Sequence, residues 1–118
     1  MIYTTYFAKL KSLPSDIVQV SICGKAPDWF NGFQYKKLAP KYNFFKEWQI
    51  TKDNNYYIRC FNEQVLNMLS AKQVYQELVT MTQSEDIALI CYERSDRFCH
   101  RHLVREWLNA NGIPSKEW

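Results

Sequence analysis

The stretch from Ala88 to Trp107 reads A-L-I-C-Y-E-R-S-D-R-F-C-H-R-H-L-V-R-E-W. Its first part, Ala88 to Tyr92, is a short apolar run without charge, which is typical of a strand buried on both faces of a parallel sheet. Leucine, valine and tryptophan side chains then recur with a helical period until Gly112 stops the pattern. We therefore predict a buried strand followed by a helix that begins near Phe98 or Cys99.

Reactive side chains follow this predicted strand at once. Cys91 and Glu93 lie at its carboxyl end, and Cys99, His100 and Arg101 lie in the first turn of the next helix. In open α/β sheets, ligands bind in the crevice at the carboxyl ends of the strands. The sequence therefore predicts a functional site at this edge of the sheet.

The rest of the chain predicts further strands and helices. Alternating β-branched and aromatic residues predict a first strand at residues 2–7, and Val18 to Ile22 predict a second. About ten residues separate them, which is barely enough for a parallel crossover, so an antiparallel hairpin is the alternative. A short helix is expected after Pro40. One longer helix is expected from about Asp53 through Met68. Another is expected from the Ser70 capping box to about residue 83.

The expected fold is a single α/β domain over residues 1–118. It is a three-layer sandwich with a short, mostly parallel, Rossmann-like sheet flanked by helices. With 118 residues, 47% of them hydrophobic and only three glycines, the chain can bury a core of its own.

Composition also limits the cellular setting and the partners. No stretch approaches the roughly 18 apolar residues of a membrane helix, and no basic leader precedes an apolar segment, so we expect a cytoplasmic protein with no membrane partner. The four widely spaced cysteines are then expected to be reduced thiols. The net charge of +3 permits nucleic-acid binding without requiring it.

The C-Y-E and F-C-H-R-H-L-V motifs, followed by W-L-N-A-N-G-I, resemble the C-terminal signature of the domain of unknown function 488 family, in particular its small phage and bacterial members. The signature of that family is a strand, Cys-x-Glu, a loop, and Cys-His-Arg at the start of a helix. The apolar segment I-V-Q-V-S-I-C-G-K-A-P-D-W-F extends the resemblance over most of the chain. Many members have an Asp and an Arg at the end of this second strand, where this chain has Ser21 and Cys23. The resemblance implies a fold and a site rather than a particular activity.

Each candidate site residue has a functional and a structural interpretation. Cys99 would be a nucleophile if the helix dipole, His100 and Arg101 lower its pKa, or otherwise a small buried residue. His100 would exchange protons, or simply donate to a carbonyl. Glu93 would be a base, or would pair with Arg101. Arg101 is expected to grip an anionic ligand beside the helix amides, with Cys91 lining the same pocket.

Metal binding is not expected from the spacing of these residues. Cys91, Cys99, His100 and His102 include suitable ligand types, but C-x7-C-H-x-H matches no usual zinc pattern. Adjacent helical residues also point about 100° apart, so Cys99 and His100 are not expected to share one ion. We therefore expect no metal and no other cofactor.

Eight aromatic residues lie between Trp29 and Trp48, with four lysines among them. Such a segment can stack bases of single-stranded nucleic acid, although most of its aromatic residues are needed for the core. Trp29 and Tyr35, in the irregular part after the second strand, are the two we expect to line the ligand crevice.

These observations favour a small enzyme acting on an anionic substrate such as a nucleotide or nucleic-acid base. Glu93, Cys99 and His100 would be catalytic, and Arg101, Cys91, Trp29 and Tyr35 would bind the ligand. The alternatives are a non-catalytic module that binds a nucleotide or single-stranded nucleic acid, and an inhibitor-type protein that binds another protein. An enzyme should have Glu93 and Cys99 in a concave pocket, whereas an interaction protein should have a flat apolar patch elsewhere.

Overall fold

Five parallel strands form one sheet in the computed structural model, which describes residues 1–118. Along the chain they are β1 (Ile2–Tyr6), β2 (Val18–Ser21), β3 (Phe33–Gln34), β4 (Ile87–Cys91) and β5 (Ser115–Glu117). Their order across the sheet is β3-β2-β4-β1-β5. The central strand β4 pairs with β1 on one side and β2 on the other. All five of its residues are buried, which explains the uninterrupted apolar run.

Four α-helices and three short 3-10 helices connect the strands. The α-helices are α1 (Tyr42–Thr51), α2 (Asn54–Gln64), α3 (Ala71–Thr82) and α4 (His100–Ala110), and the 3-10 segments are Phe7–Ser12, Lys36–Leu38 and Leu66–Met68. No helix has the length and apolarity needed to cross a membrane.

Alternate residues of β4 separate two layers of core. Ile87 and Leu89 pack into the larger cluster, together with residues of α1 to α4. Ala88 and Ile90 pack into a smaller cluster on the other face, against the 3-10 helix that contains Phe7. The period of two along a strand produces this division, and the result is a three-layer α/β fold.

The expected strands and helices are largely confirmed. The link between β1 and β2 is a parallel crossover, because β4 lies between these strands and runs parallel to both. The α2 boundary was wrong, since the helix ends at Gln64 and Met68 is exposed. The two short edge strands β3 and β5 were not predicted. Each has only two or three residues, which is too few to show an alternating pattern.

Side-chain caps fix where two of the helices begin. Asp53 accepts a hydrogen bond from the backbone N–H of Tyr56, and Ser70 accepts one from that of Gln73. Each bond satisfies an amide that has no partner within its helix, so the helix starts at the residue after the cap. The N-cap of α4 is Cys99, whose side chain makes no capping bond.

We expect Ser70→Ala to reduce the free energy of unfolding by about 1 kcal/mol, because it removes the capping acceptor of α3. Urea denaturation of the variant and the wild type measures the difference. Lys72→Ala, at an exposed position of the same helix, is the control and should change stability by less than about 0.5 kcal/mol. Equal stability of Ser70→Ala and wild type would contradict the capping role.

Candidate functional site

A cavity of about 630 Å³ lies at the carboxyl end of β4. Four of the residues predicted for the site line it, namely Cys91, Glu93, Cys99 and His100. They meet there because the end of β4 and the start of α4 lie at the same edge of the sheet. This is the position at which open α/β sheets bind ligands.

The sulfur of Cys91 lies beside a positive charge. Arg101 donates from Nη1 to Cys91 Sγ over 3.2 Å, and the Arg101 side chain is completely buried. The contact therefore places a buried positive charge directly against a buried sulfur atom.

Cys91 and Cys99 form a disulfide in this structure, with their Cα atoms 7.4 Å apart. The expectation of four reduced thiols is therefore wrong for these two residues, whereas Cys23 and Cys60 are free. The pairing follows from topology, since the residue that ends β4 and the N-cap of α4 lie next to each other despite the loop between them.

His100 is held by a backbone carbonyl and faces Cys99. Its Nε2 lies 2.7 Å from the carbonyl oxygen of Ile22, which can only accept, so Nε2 carries the proton in the neutral ring. The unprotonated Nδ1 then lies 3.9 Å from Cys99 Sγ. Burial lowers the pKa of His100 to about 4, partly opposed by the Ile22 carbonyl and reinforced by Arg101. The ring is therefore a neutral proton acceptor near pH 7.

Arg101 does not have the ligand-holding role expected from the sequence. Its Nε and Nη2 donate to the carboxylate of Glu117, with the shortest distance 2.8 Å, and Nη1 donates to the backbone oxygen of Glu93. No part of the side chain is exposed to a ligand. The alternative pairing with Glu93 is also corrected, because the partner carboxylate is that of Glu117.

Aromatic side chains form the wall of the cavity opposite the cysteines. Tyr42, Phe45 and Trp48 reach it from α1, Tyr57 from α2 and Phe98 from the loop before α4. The Trp48 and Phe98 rings lie 5.7 Å apart. The spacing of three residues from Tyr42 to Phe45 to Trp48 marks one helical face, and this signal could have identified the wall from the sequence.

Trp29 and Tyr35 do not lie at this cavity. Trp29 is 62% exposed and borders a separate shallow groove. Tyr35 is buried in the core, and its hydroxyl donates to Glu77 over 2.5 Å. Both expectations are corrected. The irregular stretch after β2 leads away from the end of β4, so the more distant helix α1 supplies the aromatic wall instead.

Ser21 and Cys23, at the end of the second strand, have local roles in this structure. The Ser21 hydroxyl accepts from the backbone N–H of Cys23, and the Cys23 thiol contacts the Ile90 carbonyl oxygen at 3.6 Å. Burial raises the pKa of Cys23 to about 11 despite the Ser21 bond. Cys23 therefore lines the cavity as a neutral thiol.

The donor atoms of Cys91, Cys99 and His100 lie within 4.8 Å of one another. The expectation that Cys99 and His100 diverge is wrong, because Cys99 has the extended backbone of an N-cap rather than a helical one. Such donors are of the type that zinc uses, but here the two sulfur atoms are bonded to each other rather than free to coordinate.

The fold and this cluster define a parallel α/β domain with a cysteine-rich site at the end of its central strand. The chain belongs to the DUF488 family: residues 8–112 match the model of the group described as "Active DUF488-N3 subclade". Neither the curated proteins nor the solved structures contain a match.

We expect Arg101→Ala to lower the free energy of unfolding by about 3 kcal/mol, because it leaves the partly buried Glu117 carboxylate without its main partner. Urea denaturation measures the loss. Adding Glu117→Gln should restore part of it, whereas adding Glu93→Gln should restore none. Rescue by Glu93→Gln would show that the pairing described here is incorrect.

The neutral buried His100 predicts a pH dependence of stability. Between pH 6.5 and about 4 the unfolded chain binds a proton at this residue and the folded chain does not, so the free energy of unfolding should fall as the pH decreases through that range. Between pH 7 and pH 4.5 the His100 contribution to this loss should be about 2.5 kcal/mol. His100→Gln should remove that contribution, while the smaller loss from carboxylates with a lowered pKa, such as Glu117, remains. Urea melts at pH 7 and pH 4.5 provide the measurement. His102→Gln, which alters a less buried ring, should retain most of the loss.

Proposed function

We propose that this protein is a small cysteine-dependent enzyme acting on an anionic substrate such as a nucleotide or nucleic-acid base. The observation that carries the proposal is the convergence of Cys91, Glu93, Cys99 and His100 on one aromatic cavity. The family group that the chain matches is described as active, which agrees with a catalytic role.

The cavity suits a planar, negatively charged substrate. Its volume lies within the range of small-molecule sites. The Trp48, Phe98 and Tyr57 rings offer faces and edges on which a base can stack, and each stacked base contributes about 1 to 3 kcal/mol. Lys25 and Lys52 lie at the same cavity and supply positive charge for a phosphate or carboxylate.

Cys91 is the better nucleophile of the two paired cysteines. Reduction of the disulfide by an external thiol reductant, two equivalents of which are oxidised to their own disulfide, frees both sulfurs as thiols. The sulfur in contact with the Arg101 guanidinium is that of Cys91. The Cys99 sulfur instead faces the neutral His100 ring. The proposal therefore moves the nucleophile expected at Cys99 to the residue at the end of β4.

The remaining groups supply proton transfer. Once Cys91 has bonded to an electrophilic atom of the substrate, the leaving group departs with its electron pair and needs a proton. Glu93 lines the same cavity two residues after Cys91 and is the proposed base that takes the Cys91 thiol proton and then passes it to the leaving group. Water then cleaves the bond between the Cys91 sulfur and the substrate, which gives the product a hydroxyl group and restores the thiol. His100, neutral with Nδ1 unprotonated, is the proposed hydrogen-bond acceptor that orients the reduced Cys99 thiol, and its low pKa leaves no role for it in taking the proton.

A ligand screen tests the substrate class. Reduced protein is heated with inorganic phosphate, nucleoside monophosphates and free bases, and a true ligand at about 100 times its dissociation constant should add about 2.7 kcal/mol of apparent stability. Trp48→Ala should abolish the gain. Trp29→Ala, at the other groove, should retain it. Stabilisation by no compound, or equal stabilisation of the Trp48→Ala variant, would contradict the proposed site.

Thiol labelling tests the catalytic role. Both Cys91 and Cys60 are buried, but only Cys91 lines the cavity and contacts Arg101. In reduced protein at pH 7, Cys91 should therefore react with iodoacetamide at least tenfold faster than Cys60, because the cavity gives access and Arg101 stabilises the thiolate. Ligand binding without faster labelling of Cys91 would favour the non-catalytic binding module. If the reduced protein bound one zinc ion per chain and Cys91→Ser abolished that binding, the nucleophile role of Cys91 would be contradicted.

A further inference from the structure

Glu117 lies on β5, beyond the residues that match the family model, and it does not line the cavity. Its carboxylate nevertheless accepts hydrogen bonds from three other parts of the chain. The hydroxyls of Thr4 and Ser95 each donate to it over 2.6 Å, and Arg101 and Arg105 donate from α4. Such a number of donors fixes the carboxylate in one orientation.

The orientation of Glu117 determines where Arg101 points. A guanidinium is planar, and its donors have fixed directions. Nε and Nη2 are both directed at Glu117, so the plane is set and Nη1 is left to face Cys91 Sγ and the Glu93 carbonyl. The contact between Arg101 and the Cys91 sulfur thus depends on a carboxylate that does not touch Cys91.

We infer that Glu117 is a positioning residue for the Cys91 nucleophile, acting through the Arg101 guanidinium. The inference rests on the proposed function, in which the Cys91 thiolate attacks the substrate. It also assigns a role to β5, which lies outside the residues that match the family model. Through Ser95, the same carboxylate ties the loop between the two cysteines to this strand.

A positioning role and a simple charge effect predict opposite results. If Glu117 acted only as a nearby negative charge, removing it would favour the Cys91 thiolate and speed its alkylation. If Glu117 positions Arg101, then Glu117→Gln replaces one acceptor oxygen with an NH₂ donor that cannot face the guanidinium. Arg101 then loses its fixed plane, and alkylation of Cys91 slows.

The other groups around the Cys91 sulfur are the same in the wild type and in Glu117→Gln. The charged and titratable groups around this sulfur and Arg101 come from four parts of the chain. They are Tyr6 from β1, Cys23 from the loop after β2, Glu93 from the loop after β4, and Cys99, His100 and Arg105 around α4. The Tyr6 ring lies 5.6 Å from the guanidinium. None of these is altered by Glu117→Gln, so a change in the rate profile reports on Glu117 and Arg101.

The experiment measures iodoacetamide labelling of Cys91 by mass spectrometry in reduced full-length protein between pH 5 and pH 9. We expect Glu117→Gln to slow labelling at pH 7 by about threefold or more and to move the midpoint of the rate profile to higher pH. Glu77→Gln is the matched control, since this carboxylate is bonded to Tyr35 and Lys37 away from the cavity, and it should leave the profile unchanged.

The outcomes separate the inference from the proposed function. If Cys91 of the wild type labels no faster than Cys60, the proposed function fails. If Cys91 labels rapidly and Glu117→Gln labels equally fast or faster, the positioning role fails while the proposed function stands. If Glu117→Gln unfolds, rapid labelling of Cys60 would reveal it, and Ser95→Ala then provides the test. This variant removes one hydrogen-bond donor to Glu117 from an exposed loop, and it should also slow the alkylation of Cys91. An unchanged alkylation rate in Ser95→Ala would overturn the inference.

Discussion

A fully buried guanidinium constrains this structure more than any other single group. The charge of Arg101 cannot be lost by deprotonation, so each of its donors needs an acceptor inside the protein. These acceptors come from β4, from the loop that follows it and from β5. Satisfying one side chain therefore joins the central strand, the cysteine loop and the edge of the sheet, and it leaves a positive charge against the Cys91 sulfur.

The cavity is lined by polar residues and by aromatic residues that are positioned in different ways. The groups that contact Arg101 have to come from the elements next to its guanidinium, which are β4, the loop after it and β5. The aromatic wall has no such requirement, and it comes from α1, α2 and the loop before α4, which pack by apolar contact. A few polar groups near strand ends together with apolar side chains on packed helices are a common combination in small-molecule pockets.

The sequence predicted those features that depend on local pattern. The apolar run of β4, the Ser70 cap and the starts of α2 and α4 follow from periodicity and capping chemistry. The cluster of Cys91, Glu93, Cys99 and His100 follows from their place at a strand end. The partner of Arg101 could not be predicted, because Glu117 lies on a three-residue strand whose pairing depends on the whole sheet. Trp29 and Tyr35 were misplaced for a similar reason, since the path of an irregular segment is set by tertiary contacts rather than by its own residues.

The position of β5 beyond residue 112 has a consequence for how the domain is delimited. The stretch that matches the family model includes Arg101 but not the carboxylate that neutralises it. A fragment cut at the limits of the sequence match would retain the buried charge and lose its counter-ion. It would also lose both β1 and β5, so one side of the central strand β4 would have no partner. The stretch by which relatives are recognised is therefore shorter than the set of strands that completes the sheet and neutralises Arg101.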